Sequence, residues 1–185
     1  MEPVILSKPV TTVTGRRDDI VRPSYTSQLD YEGELAVVIG TRARDVAEED
    51  ALAHVFGYAV MNDLTARDRQ RTEPQWTRAK GGDTFGPFGP WITTADVVPD
   101  PQALTVRTWV GGDLRQEAST ADMLFGVAAL VAWCSASFTL EPGDVITTGT
   151  PAGVGEAREP PVFLQPGDVV RVEVEGLGAL ENAVR

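Results

Sequence analysis

Glu32 and Glu34 stand two positions apart, with Gly33 between them, in the string "LDYEGELAVVIG". The string alternates, placing Tyr31, Gly33, Leu35, Val37 and Ile39 on one face of an expected strand and Glu32, Glu34, Ala36 and Val38 on the other. Side chains at i and i+2 share a face about 7 Å apart along the backbone. Two carboxylates about 6 Å apart repel by roughly 3 kcal/mol at an effective dielectric of 20, so inside a fold the pair calls for a cation; on a solvent-facing strand it calls for nothing. A third carboxylate, Asp63, closes the strand-like string "GYAVMND". Taken alone it is an Asx turn or helix cap as readily as a ligand. If the three meet, they offer hard oxygen ligands with no His or Cys, a set that suits Mg²⁺, Mn²⁺ or Ca²⁺ and argues against zinc.

The elements that must hold these residues can be read coarsely. Residues 1–28 carry scattered prolines and form an extended lead-in. Asp45 and Glu48 resemble a capping box for a short helix to about Val55, and Thr65 is placed to cap "ARDRQR", where Arg67 and Gln70 share a face. "KGGDTFGPFGPW" holds too many glycines and prolines for a helix or a central strand. "ALTVRTWVGGDLRQEA" reads as a hairpin turning at Gly111, Gly112 and Asp113. Ser119 and Thr120 offer caps for a helix in which Met123, Val127, Leu130, Val131 and Cys134 form a core stripe. "LEPGDVI" and "LQPGDVV" read as Pro-Gly turns that launch strands. With many strands, two or three helices and no βαβ rhythm, the expected class is α+β with a dominant β core, built as one domain over 1–185.

Composition limits the partners. The 185 residues carry 27 acidic and 16 basic side chains, a net charge of −11. Such a chain is repelled by nucleic-acid phosphates and by anionic membrane surfaces, and its apolar runs are too short to span a bilayer. One cysteine, Cys134, forms no internal disulfide, and no leader pattern opens the sequence, so the expected location is the cytoplasm. Only Lys8 and Lys80 among the basic residues are lysines.

The strings "DYEGELAVVIG", "YAVMNDLTARDRQ", "QWTRAKGGDTFGPFGPW", "PGDVITTGTPAGVG" and "PGDVVRVEVEGLGALENAV", in this order, resemble the fumarylacetoacetate hydrolase superfamily from about Leu29 to Val184. The resemblance implies a mixed β-sandwich or roll of that family's C-terminal-domain type and a homodimer. It places a divalent cation, Mg²⁺ or Mn²⁺ with Ca²⁺ as a further choice, on Glu32, Glu34 and Asp63. It also assigns substrate-oxygen contacts to Arg67, Gln70 and Thr150, and a catalytic charge to Lys80 with Arg67. A compact ammonium at Lys80 does what no guanidinium fork can.

The implied activity is on small 2-oxo or enol acids. The cation would stabilise an enolate as a neighbouring C–C or C–H bond breaks, which serves hydrolysis, decarboxylation and keto-enol isomerisation alike. Many members carry a His and Glu that activate water, upstream of the string matched by Lys8 and Pro9; this sequence is expected to lack that lid. His54, its only histidine, reads as a surface or packing residue. Without the pair, decarboxylation or isomerisation is favoured over hydrolysis. The alternative from another class is a non-catalytic member that binds metal and a 2-oxo acid-like ligand.

Overall fold

The structure, a computed structural model, describes residues 2–185. Eleven strands form its frame: β1 (Val13–Thr14), β2 (Leu29–Asp30), β3 (Gly33–Ile39), β4 (Val55–Asn62), β5 (Thr65–Ala66), β6 (Gly86–Thr94), β7 (Thr105–Val110), β8 (Asp113–Ser119), β9 (Val145–Thr147), β10 (Val169–Val174) and β11 (Gly178–Ala183). Three α-helices join them, α1 (Arg67–Thr72), α2 (Thr77–Lys80) and α3 (Val127–Ser137). One sheet runs β1-β6-β4-β3-β9, a second β11-β10-β7-β8, and β2 pairs with β5 alone. The second sheet packs through β10, β7 and β11 onto β3, β4 and β6. The α+β, mainly β class is as expected.

Between the sheets lies one large apolar cluster containing Leu35, Val37, Ile39, Val60, Val106, Val172, Val174 and Leu180. All seven residues of β3 are buried, because its other face packs Ala36 with Ala59, Met61 and Phe88. The solvent-facing reading of the two glutamates is therefore removed. Their strand also divides. The Tyr31 amide donates to the Asp30 carboxylate and the Glu32 amide to Asn62 Oδ1, so the chain leaves β5 as partner and takes up β4.

Several local expectations change for identifiable reasons. Asp45 takes a left-handed φ of 54°, its amide and that of Val46 being held by Ser135 of α3. The helix that follows is a 3-10 segment, Glu48–His54, with no side-chain cap. Thr65 lies in β5 and caps nothing; its hydroxyl donates to the Asp63 carbonyl. Ser119 caps only a short 3-10 turn, Thr120–Asp122, and α3 begins later, where Gln102 Oε1 accepts from the Val127 amide at 2.6 Å.

The proline-rich loop is in part a strand, since β6 pairs with both β4 and β1. Its register against β4 shifts between Tyr58 and Val60. The irregularity carries Pro90 away from the ladder, where a missing N–H costs nothing. The hairpin turn at Gly111 and Gly112, both at positive φ, and the buried Cys134 are as expected.

Candidate active site

The turn between β4 and β5 carries Asp63 to the segment that precedes β3. The Asp63 amide donates to the Glu32 carbonyl at 2.8 Å, which places one carboxylate beside the other two. Oxygens of Glu32, Glu34 and Asp63 all lie within 4.8 Å of one another, each residue buried. Among the described residues this is the one group of His, Cys, Asp and Glu side chains arranged to hold a metal ion.

Lys80, at the end of α2, reaches the same point. Its Nζ donates to Glu32 Oε2 at 2.8 Å, Asp63 Oδ2 at 2.7 Å and Thr65 Oγ1 at 2.8 Å. Burial opposes its charge, but Asp63 and Glu32 outweigh that and raise its pKa. Lys80 is 3 % exposed, so all three ammonium protons are used and the group stays charged.

Lys8 is a site residue that sequence reasoning passed over. From the lead-in its Nζ donates to Asp63 Oδ1 at 2.6 Å and to the Lys80 carbonyl. Burial, only partly offset by Asp63, lowers its pKa. The available signal was that Lys8 is the other lysine in an arginine-dominated chain.

Arg67 opens α1 and is fixed behind the carboxylates. Its Nε donates to Asp30 Oδ2 at 2.9 Å, Nη2 lies 2.6 Å from Glu32 Oε1, and Nη1 donates to Gln70 Oε1 at 3.0 Å. The fully buried Asp30, also unassigned by sequence, accepts from the Gly155 and Glu156 amides at 2.7 and 2.9 Å. Arg67 is thus held between Asp30, Glu32 and Gln70 and is not among the residues that line the cavity beside them. The Gln70 carbonyl is taken by Arg67, which leaves its amide NH₂ as the donor that remains.

Glu34 is the outlier among the acids. It accepts from the Gly149 amide at 2.8 Å but has no cation of its own among the described residues. Burial first, then the charges of Asp63 and Glu32, push its carboxyl up to about 8, with Lys80 and the Gly149 amide pulling partly back. Thr150, next along the same loop, turns its hydroxyl inward: Oγ1 donates to the Gly33 carbonyl at 3.0 Å and accepts from Gln116 Nε2 at 2.8 Å. Glu32, Glu34, Asp63, Lys80, Lys8, Gln70 and Thr150 all line one cavity of about 1670 Å³. His54 lies at the end of its 3-10 segment with Nδ1 against the Thr41 carbonyl and is not among the cavity residues.

Comparison with known proteins identifies the family and the fold. Residues 1–185 match the family model described as Fumarylacetoacetate (FAA) hydrolase C-terminal. A mitochondrial oxaloacetate tautomerase of Xenopus laevis is 48 % identical over 185 residues, covering 99 % of this chain and 58 % of its own length. A fumarylacetoacetate hydrolase structure from psychrophilic Exiguobacterium antarcticum superposes with a TM-score of 0.97 at 50 % identity, covering 100 % of this chain and 67 % of that one. A 2-hydroxyhepta-2,4-diene-1,7-dioate isomerase structure from Mycobacterium marinum gives 0.92 at 46 % identity, covering 100 % and 69 %. The chain thus spans 58 % and 66 % of the length of the first two curated relatives it matches. With the match running the full length of the sequence, the chain belongs to the fumarylacetoacetate hydrolase family.

Proposed function

We propose that this chain is the catalytic domain of a divalent-metal-dependent enzyme that acts on small 2-oxo or enol acids, with Mg²⁺ or Mn²⁺ as the cation. The observation that carries this is the charge arrangement at one end of the cavity. Four buried carboxylates, Asp30, Glu32, Glu34 and Asp63, meet three cations, Lys8, Lys80 and Arg67. The site is one positive charge short at Glu34, whose carboxyl is pushed up to about 8 by burial first and then by the charges of Asp63 and Glu32. A divalent ion would remove that deficit and leave the site with a net positive charge, which attracts an anionic substrate.

Such an ion would supply Lewis acidity to the keto and carboxylate oxygens of a 2-oxo acid. The chain's own groups do the rest. Gln70 offers its NH₂ to a substrate oxygen. Lys80 adds a fixed, buried positive charge where negative charge develops as a bond beside the keto group breaks, and it needs no reorganisation to do so. Hydrolysis needs an activated water, and keto-enol isomerisation needs a group to take and return a carbon-bound proton; the charges found here would stabilise the enolate common to these reactions and to decarboxylation. Several relatives are named for such chemistry, among them the tautomerase and the isomerase above.

A homodimer is part of the same reading. Leu124, 81 % exposed, lies with Phe138 and Val145 on the cavity wall, and a second copy would cover such apolar side chains. A cytoplasmic setting suits the lone buried thiol of Cys134, and no helix among the described residues is long and apolar enough to cross a membrane.

The test is metal-stripped protein, with and without added Mg²⁺, against oxaloacetate, acylpyruvates and unsaturated hydroxy-dioates. Turnover of at least one of these only with the ion is expected. Turnover unaffected by chelation would overturn the metal reading. Oxalate binding with no turnover would favour the non-catalytic alternative.

A pH dependence follows with a definite sign. In the cation-free protein Glu34 keeps its proton up to about pH 8, against an ordinary 4.5. The folded state then binds more protons than the unfolded one between these values. Stability is fully present below 4.5 and is lost as pH rises through 8. Cation binding must displace that proton, so Mn²⁺ affinity will rise by up to about tenfold per pH unit until pH 8 and then level off. Calorimetric titration across that range, in buffers of different ionisation enthalpy, reads both the affinity and the released proton. A pH-independent affinity would contradict the assignment.

A further inference from the structure

Gln116, on β8, is 1 % exposed and belongs to neither the carboxylate group nor the cavity wall, yet it makes three hydrogen bonds that converge on the site. Its Oε1 accepts from the Gly33 amide at 3.0 Å, the peptide that lies between Glu32 and Glu34. Its Nε2 donates to Thr150 Oγ1 at 2.8 Å and to the Pro151 carbonyl at 2.9 Å. One primary amide thus joins the carboxylate strand to the loop that carries Thr150.

These bonds fix a direction as well as a position. Because Gln116 donates to Thr150 Oγ1, the threonine must send its own proton elsewhere, and it goes to the Gly33 carbonyl. A hydroxyl so committed can only accept, so it cannot donate to an anionic substrate oxygen. A contact of Thr150 with such an oxygen is left to its backbone N–H, and the accuracy of that contact depends on how firmly the loop is held.

The loop's two halves are anchored separately. Thr148 is tied to the Leu35 carbonyl through both its amide and its hydroxyl, at 3.2 and 2.9 Å. That tie keeps the Gly149 amide on Glu34 without help from Gln116. Thr150 and Pro151 have Gln116 and Gly33 instead. The Gly33 side of this joint is closely packed, for a Cβ there would collide with Thr108 Oγ1, which leaves no slack to take up a lost bond.

We infer that Gln116 is a positioning residue for the substrate contact of Thr150, separable from cation binding. This rests on the proposed reading of the site as one that takes a metal and a 2-oxo acid. Loss of Gln116 is expected to weaken anion binding and leave the cation in place, whereas a merely structural role would move both or neither.

The experiment is calorimetric titration of oxalate, a 2-oxo acid mimic, into Mn²⁺-loaded wild type, Gln116→Met, Thr150→Val and the double variant, with Mn²⁺ affinity measured on each. Methionine keeps the volume and adds no charge. Either single change is expected to lower oxalate affinity about tenfold or more. The double variant should bind no worse than the weaker single, because both changes cut the same joint. Mn²⁺ affinity should stay within about threefold of wild type, and Thr150→Ser should bind oxalate as wild type does.

Should Gln116→Met not fold, Gln116→Asn keeps a primary amide one methylene short of its partners, adds no charge and carries the same expectation for the double-variant comparison. Additive losses, or an oxalate loss matched by an equal Mn²⁺ loss, would overturn the inference. Wild type that binds Mn²⁺ but no oxalate would remove the substrate reading itself, and this proposal with it.

Discussion

Replacing Glu34 with Gln will abolish divalent-cation binding and cation-dependent turnover, and it will make the cation-free protein more stable at alkaline pH. The two effects have one cause. Glu34 is the carboxylate with no lysine or arginine partner, held in a buried site beside Asp63 and Glu32. Gln keeps the shape and the bond from the Gly149 amide and removes the charge. Without the cation, ionising Glu34 at pH 9 costs a few kcal/mol, on the order of 1.4 kcal/mol per unit of raised pKa. Relieving that cost should raise the melting temperature by several degrees, given about 2–4 °C per kcal/mol for a chain of this size. At pH 5, where Glu34 is protonated anyway, the variant and wild type should melt alike. Thermal melts of the chelated proteins at both pH values check this. A Glu34→Gln protein that is less stable at pH 9, or that retains full activity, would show that the carboxylate is not held in reserve for a cation.

Lys80→Met will cost both stability and activity, and only the first will return when a cation is added. The Lys80 ammonium satisfies Glu32, Asp63 and Thr65 at once. Its loss leaves buried carboxylates short of a partner, an error that costs about 3–5 kcal/mol in typical cases. Lys8 on Asp63 and Arg67 on Glu32 remain, so the lower end, about 3 kcal/mol, is expected. Added Mg²⁺ supplies charge to the same carboxylates and should recover most of the lost melting temperature. The fixed charge facing the substrate is not recovered, and kcat should stay about 10²–10³ lower. Lys80→Arg should not rescue, because a planar guanidinium cannot place one nitrogen within reach of three acceptors in so enclosed a space. Recovery of kcat by Arg, or by the ion alone, would reduce Lys80 to a structural role.

Local pattern offered three candidate carboxylates and one turn, while their assignment to a cation, with Lys80, Arg67, Gln70 and Thr150 beside it, came from the family resemblance. Glu32 and Glu34 are two apart on an alternating run, Asp63 ends another, and the hairpin at Gly111 and Gly112 declares itself. What escaped is what depends on long-range contact. Lys8 meets Asp63 across 55 positions, Asp30 meets Arg67 across 37 and Gln116 meets Gly33 across 83. Gln116 was concealed a second time by register. The β7–β8 ladder shifts between Thr108 and Trp109, setting Gln116 and not Arg115 opposite the buried Thr108, and one extra residue reverses which side chains face inward. Thr65 misled because a threonine before a helix is ordinarily a cap. Here its hydroxyl is bound to the Asp63 carbonyl and the Lys80 ammonium.

The proposed site has Glu32, Glu34 and Asp63 together hold one divalent cation, whose charge would complete what Lys8, Lys80 and Arg67 leave one charge short. The direct measurement is anomalous diffraction from crystals of the metal-stripped protein soaked in Mn²⁺. One strong peak within about 2.3 Å of an oxygen from each of the three carboxylates is the predicted result. No peak there at saturating Mn²⁺ would contradict it.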